Sequence, residues 1–166
     1  PDAAAETPAA AVEDHGDEGP EPDIVRARQV LMTELDQLML PIDRAAAGEP
    51  FDIESGRVRA EAISAILFAF PYMFPEGTDL ESTRNNDWPT IALPSVWEQP
   101  EAFLEKAEEV SEIAFDMVPI RSESEFREKA AELRAGCDSC HAAFMYDWRL
   151  EEGGLDPVTG EPIGAE

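Results

Sequence analysis

Four stretches of the chain repeat apolar residues at the three- and four-residue spacing of an amphipathic helix. We predict helices over residues 23–46, 53–70 and 100–117, and a fourth that starts at Ser122. The positions expected to face the core are Ile24, Leu31, Met32, Leu35, Leu38, Met39 and Ile42, then Val58, Ala62, Ile63, Ile66, Leu67 and Phe70, then Phe103, Ala107, Val110, Ala114 and Met117, and finally Phe126, Ala130, Leu133, Cys137, Cys140 and Phe144. No useful strand-like alternation occurs, so the predicted fold class is all-α, an antiparallel four-helix bundle.

Local signals suggest where these helices begin and end. Asp23 follows a proline and is a fair N-cap, and the second helix should begin after Asp52. Pro41 predicts a kink or an early end of the first helix, because proline cannot donate a helical hydrogen bond. Ser122 and Glu125 have the spacing of a capping box at the start of the fourth helix.

Composition divides the chain into three parts. Residues 1–22 contain mostly Ala, Pro, Glu and Asp and should form a disordered acidic tail or tether, in which His15 is a solvated side chain. Residues 23–150 should form the helical domain, and residues 151–166 an irregular, Gly- and Pro-rich extension.

The connection over residues 76–99 is rich in Gly, Asn, Asp and Pro, so we expect it to be irregular. It carries Trp88 and Trp97, and both rings need apolar cover. The connection is therefore expected to pack against the helices.

The charge balance narrows the classes of partner. The sequence has 37 acidic against 12 basic residues and a formal net charge of −25. Such a surface repels phosphate backbones and anionic lipid headgroups, and it attracts a basic protein partner. No apolar run is long enough to span a bilayer, and no signal peptide is visible, so we read the chain as an exported protein whose signal has been removed.

The candidate chemistry lies in Cys137-Asp138-Ser139-Cys140-His141, a C-x-x-C-H sequence typical of haem c attachment. Two thiols at this spacing can each form a thioether to one porphyrin, and His141 can supply the proximal iron ligand. A thioredoxin-like redox pair would need preceding strands, and none is predicted. A zinc site would need four ligands, and outside the tail the chain offers only three Cys and His residues.

The ligand at the sixth coordination position of the haem iron would decide the function. A thioether ligand favours electron transfer because it raises the potential of the haem. The chain has five methionines, and periodicity alone makes each of them more typical of core filling than of ligation. They are Met32, Met39, Met73, Met117 and Met145.

The order of these motifs resembles the class II cytochromes c, which comprise cytochrome c-prime and its low-spin relatives. Arg28-Gln29-Val30-Leu31-Met32 matches the first helix of that family, and Gly48-Glu49-Pro50-Phe51-Asp52 matches the first turn. Phe74-Pro75-Glu76-Gly77-Thr78 and Ser95-Val96-Trp97 match the segments before the third helix, and C-x-x-C-H matches the haem site. The resemblance covers about residues 23 to 148.

This resemblance implies roles that periodicity could not. It implies that Met32 faces the distal side of the iron and binds it, as in the low-spin members, and that Arg28 lies close to the haem and its propionates. Many gas-binding members have Arg four residues after the proximal histidine, where this chain has Met145. This departure favours electron transfer over gas binding.

We therefore expect a periplasmic electron-transfer protein, not an enzyme, with one covalent haem c and no substrate of its own. The alternative is a five-coordinate protein that binds nitric oxide or carbon monoxide. The expected partners are redox proteins with a basic docking face, with no nucleic acid, and homodimerisation stays open. The expected cofactor-binding residues are Cys137, Cys140, His141, Met32 and Arg28, with His141 and Met32 as the iron ligands.

Overall fold

The computed structural model describes residues 22–85 and 89–146. Predictions about the N-terminal tail, Trp88 and the C-terminal extension concern residues outside these ranges. The helices are α1 (Pro22–Ala46), α2 (Ile53–Ala69), α3 (Leu80–Thr83), α4 (Ser95–Glu98), α5 (Pro100–Asp116) and α6 (Glu123–Phe144), and a 3₁₀ turn (Phe70–Met73) follows α2. The four long helices match the four predicted ones to within a few residues.

Helices α1, α2, α5 and α6 form a closed bundle in which α1 and α5 each pack against both α2 and α6. The contacts between α2 and α5 show that these two helices run in opposite directions. Ser64 of α2 is hydrogen-bonded to Ser111 of α5. Arg57, which precedes Ser64 on α2, donates to the carbonyl of Val118, which follows Ser111 in the chain. The predicted four-helix bundle is confirmed.

The core lies where the apolar stripes of the four helices meet. Its largest fully buried side chains include Ile42, Ile63, Met117, Phe126 and Leu133. All five predicted positions of α5 are buried, but the prediction for Val58 on α2 is wrong, because 68% of this residue is exposed. Gly56 and Ala60, which were not predicted, turn toward the core together with Ile63, which was predicted.

The start of α1 differs from the prediction by one residue, whereas its end at Ala46 is as predicted. Asp23 is not the N-cap, because the helix already includes Pro22, and proline is well suited to a first helical position. Pro41 does not end the helix early, since α1 continues to Ala46. Tertiary packing explains this, because Met39, Ile42 and Ala45 are all buried on the two sides of the proline.

The starts of α2 and α6 were predicted with different success. Asp52 caps α2, and its carboxylate accepts a hydrogen bond from the backbone N–H of Glu54. Ser122 is the N-cap residue of α6, but its side chain makes no capping hydrogen bond, so the capping box is absent. Its hydroxyl pairs instead with that of Ser124 at 2.9 Å.

The connection between α2 and α5 packs onto the bundle around Trp97, as predicted. The indole Nε1 of half-buried Trp97 donates to the carbonyl of Pro75 at 3.1 Å. Ala92 forms an isolated antiparallel bridge with Met145, just beyond the end of α6. This bridge ties the connection to the segment that follows the C-x-x-C-H sequence.

Candidate functional site

A cavity of about 610 Å³ opens between the four long helices and the connection. It is lined by all five residues that the sequence marked for cofactor binding, namely Arg28, Met32, Cys137, Cys140 and His141. Most of the other lining side chains are apolar, among them Val25, Leu35, Leu67, Phe70, Phe103 and Phe144. A cavity of this size and character suits a large, flat, apolar group with polar contacts at a few points.

The two thiols lie on the cavity side of α6, where they are partly buried and not joined to each other. Cys137 packs against the main core, and Cys140 packs against a second apolar cluster around Phe70, Val96 and Phe103. Burial raises the pKa of each thiol to about 11. Both are therefore neutral at pH 7, unlike the thiolate of a thioredoxin-like pair, whose pKa is lowered.

His141 follows Cys140 in the last turn of α6 and lines the same cavity. Its backbone carbonyl accepts the N–H of Met145 at 2.9 Å, so Met145 belongs to the same helix end. Among the residues that the structure describes, no cluster of three or more His, Cys, Asp or Glu side chains could hold a bare metal ion. The arrangement therefore fits two attachment points and one imidazole ligand better than a zinc site.

Of the five methionines considered as distal ligands, three line the cavity, namely Met32, Met39 and Met145. Met32 packs against both apolar clusters, and these are the clusters that Cys137 and Cys140 respectively contact. Met39 is a buried member of the main core alone. Met32 thus lies where the surroundings of the two cysteines meet.

Arg28 on α1 is a buried cation with neutral partners. Only 4% of the residue is exposed. Its Nη1 donates to the Thr78 hydroxyl at 3.1 Å and to the Met73 carbonyl at 3.4 Å, and its Nη2 donates to the Thr78 carbonyl at 3.0 Å. The guanidinium also lies 4.3 Å from the ring centre of Phe74. Burial lowers the pKa of Arg28 to about 10, so the side chain stays charged at neutral pH.

A second arginine, Arg134, also lines the cavity and lies one helical turn before Cys137 on α6. Arg134 spans from α6 to α1, and its Nε and Nη2 donate to the two carboxylate oxygens of Asp43 at 2.8 and 2.5 Å. This hydrogen bonding raises the pKa of Arg134. The pair fixes α1 against α6 directly before the C-x-x-C-H sequence.

The aromatic cluster beside the cavity could not be predicted as a unit from the sequence. The ring of Phe103 makes edge-to-face contacts with Phe74 and Phe144, at centroid distances of 5.0 and 5.1 Å. Phe103 and Phe144 were on predicted stripes, but Phe74 lies in the connection, and Thr78 carried no signal beyond its place in the family motif. Their contacts depend on chain segments that are distant in sequence.

Comparison with known proteins matches residues 23–145 to the family described as Cytochrome C'. The chain belongs to the cytochrome c' family. It is 29% identical to cytochrome c-554 of Cereibacter sphaeroides over 98 residues, which are 57% of this chain and 71% of that protein. This confirms the class II resemblance and, with the helical fold, the fold class.

Two solved structures from Rhodopseudomonas palustris share the fold. Its cytochrome c' superposes with a TM-score of 0.66 at 23% identity, over 77% of this chain and 99% of that one. Its cytochrome c556 gives a TM-score of 0.66 at 18% identity, over 76% and 98% of the two chains.

Membership in the family makes this chain a haem c cytochrome of the electron-transferring or gas-binding kind. One covalent haem c is its cofactor, and the cavity fits the group, since it presents two neutral thiols three positions apart and an imidazole among apolar side chains. Within residues 22–85 and 89–146, every helix is too short or too polar to cross a membrane.

Proposed function

We propose that this cytochrome is a periplasmic electron carrier whose haem iron is six-coordinate, with His141 as the proximal ligand and Met32 as the distal one. Bound haem c supplies a one-electron couple, and a methionine ligand raises its potential. The observation that carries the proposal is the place of Met32 in the cavity, between the apolar clusters that contact Cys137 and Cys140.

The other two methionines of the cavity are poorer distal candidates. Met145 shares the helix end of His141, whereas a distal ligand must approach from the opposite side of the iron. Met39 lies seven residues beyond Met32 on α1, roughly 10 Å farther along the helix axis. It also belongs to the core that Cys137 contacts and not to the cluster that Cys140 contacts.

Arg28 is proposed to contact the carboxylates of the haem, as the family resemblance implies. Three of its five N–H groups are used by Thr78 and Met73. The Nε–H and one Nη2–H are not among these bonds, and Arg28 lines the cavity. A buried guanidinium whose described protein partners are all neutral is a suitable site for an anionic group.

Absorption spectra of the purified holoprotein test the ligand assignment. We expect the reduced wild type to show a sharp alpha band and to bind carbon monoxide slowly, because Met32 occupies the iron. Met32→Ala should give a broad high-spin spectrum and bind carbon monoxide much faster. Met39→Ala, a matched truncation in the same helix and cavity, should keep the wild-type spectrum.

The opposite results would favour the second function. A reduced wild type with a broad high-spin band, and carbon monoxide binding that Met32→Ala leaves unchanged, would indicate a five-coordinate gas-binding protein. A polypeptide that lacks the added mass of a porphyrin after export and maturation would contradict the haem assignment itself.

The partner and compartment are part of the same proposal. Haem c is attached outside the cytoplasm, which favours a bacterial periplasm. Exposed carboxylates follow one another along α5, at Glu101, Glu105, Glu108, Glu112 and Asp116. The start of this helix lies beside the haem-attachment turn, because Phe103 belongs to the apolar cluster that Cys140 contacts and its ring meets that of Phe144. We propose that a redox partner docks here through a basic face.

A further inference from the structure

The charged group of Arg28 is unusual because, among the described residues, its burial is not matched by a carboxylate of the protein. Although the sequence has 37 acidic residues, Arg28 forms no ion pair within the described part of the chain, and burial is the one cause that lowers its pKa. A buried charge without a counter-charge is costly and persists only where hydrogen bonds hold it in place.

Thr78 supplies most of those hydrogen bonds. Its hydroxyl and its carbonyl both accept from Arg28, whereas the third acceptor, the Met73 carbonyl, is farther away at 3.4 Å. Thr78 is only 1% exposed. Its own hydroxyl donates to the Pro75 carbonyl at 2.7 Å, so the oxygen that receives the guanidinium is itself fixed in direction.

The Pro75 carbonyl accepts a second hydrogen bond. The indole of Trp97 also donates to Pro75, so this one oxygen joins α4, the 74–78 turn and, through Thr78, the Arg28 side chain of α1. The ring of Phe74 also lies against the guanidinium, with its centre 4.3 Å from Cζ. The network keeps a positive charge at the wall of the cavity and away from solvent.

We propose that Thr78 is a positioning residue that sets the reduction potential of the haem by holding the Arg28 charge at the cavity. The inference rests on the proposed haem site. A nearby cation disfavours the ferric state more than the ferrous state, because ferric iron carries one more positive charge. The effect is strong where the medium has a low dielectric constant and weak where water screens the cation.

Without the Thr78 hydroxyl, Nη1 of Arg28 keeps only its longest hydrogen bond. The guanidinium can then recover solvation by moving toward water, and its field at the iron weakens. Thr78→Val removes the hydroxyl and preserves the shape of the side chain. We therefore expect the midpoint potential of the holoprotein to fall in this variant, and Thr78→Ser to restore most of the wild-type value.

A double-mutant cycle separates this role from general damage to the fold. Arg28→Gln should lower the potential further than Thr78→Val does, and Thr78→Val should have no added effect in the Arg28→Gln background. Arg28→Met gives a second uncharged background if the glutamine variant is unstable. The matched control is Thr83→Val, because Thr83 is equally buried and hydrogen-bonded in the same connection but does not contact Arg28.

The outcomes distinguish the inference from the function on which it rests. An unchanged potential in Thr78→Val, or an equal shift in Thr83→Val or in the Arg28→Gln background, would overturn the role of Thr78. The mass and alpha band of each variant report the haem and its ligation separately. Variants with normal haem content and a normal band but no selective shift would therefore reject the inference alone.

Discussion

Gly56 on α2 lies directly against the ring of Phe126 on α6. A Cβ atom at position 56 would come within 2.7 Å of Cζ of Phe126, closer than real side-chain contacts allow. The ring cannot retreat easily, because Phe126 is fully buried and stacks on Phe51 with a centroid distance of 5.3 Å. The glycine thus leaves room for the Phe126 ring to reach from α6 across the core to α2.

Gly56→Ala is expected to destabilise the protein, although alanine is the better helix former. The helix propensity of alanine contributes up to about 1 kcal/mol in favour of the variant. Overpacking of a dense core costs about 1–3 kcal/mol, and here the atom that must move is part of a rigid ring. Chemical denaturation of the holoprotein should show a net loss of about 1 kcal/mol in the free energy of unfolding.

Ala65→Gly is the control, because Ala65 is an exposed position in the same helix. This variant changes helix propensity without creating a steric clash, and it should lower the free energy of unfolding by about 1 kcal/mol. A Gly56→Ala protein that is more stable than the wild type would show that the bundle relaxes around the new methyl group.

The aromatic cluster beside the cavity leads to a second prediction. Phe103 is buried and contacts the rings of Phe74 and Phe144. Phe103→Ala should lower the free energy of unfolding by about 3–5 kcal/mol, because the lost burial is added to the cost of a cavity. Phe115→Ala, on the same helix, should change it by less than about 0.5 kcal/mol, since Phe115 is 63% exposed. Equal losses in the two variants would contradict this account.

Docking through the acidic face of α5 would make electron transfer sensitive to charge and salt. Replacing Glu101, Glu105 and Glu108 with Gln should slow the reaction with a basic redox protein several-fold at low ionic strength. The difference should shrink near 0.5 M salt, where the charges are screened within a few ångströms. Stopped-flow mixing of the reduced holoprotein with an oxidised basic partner measures both effects.

The control for that experiment removes the same number of negative charges at a different place on the protein. Glu123, Glu125 and Glu128 lie at the start of α6, so the last of them is still 13 residues before His141, or roughly 20 Å along the helix. Replacing these three with Gln should have a much smaller effect. An equal loss in both triple variants would indicate general electrostatic steering and no specific docking face.

The sequence alone determined the parts of this protein that depend on local spacing. The apolar repeats placed the four long helices, and C-x-x-C-H placed both thiols and the imidazole on the last one, because helical geometry and motif spacing involve only near neighbours. The same reasoning misjudged Val58, because packing against other helices decides which face of α2 is buried. It also allowed an early end of α1 at Pro41, and the helix instead continues to Ala46.

Only the tertiary structure decided which distant residues meet at the cavity. It narrowed five methionines to three and gave Arg28 its partners in a turn 50 residues away in the chain. It also packed Phe74 of the connection against Phe103 of α5. These contacts follow from how the four helices and the long connection fill one common core, and spacing along a single helix carries no information about them.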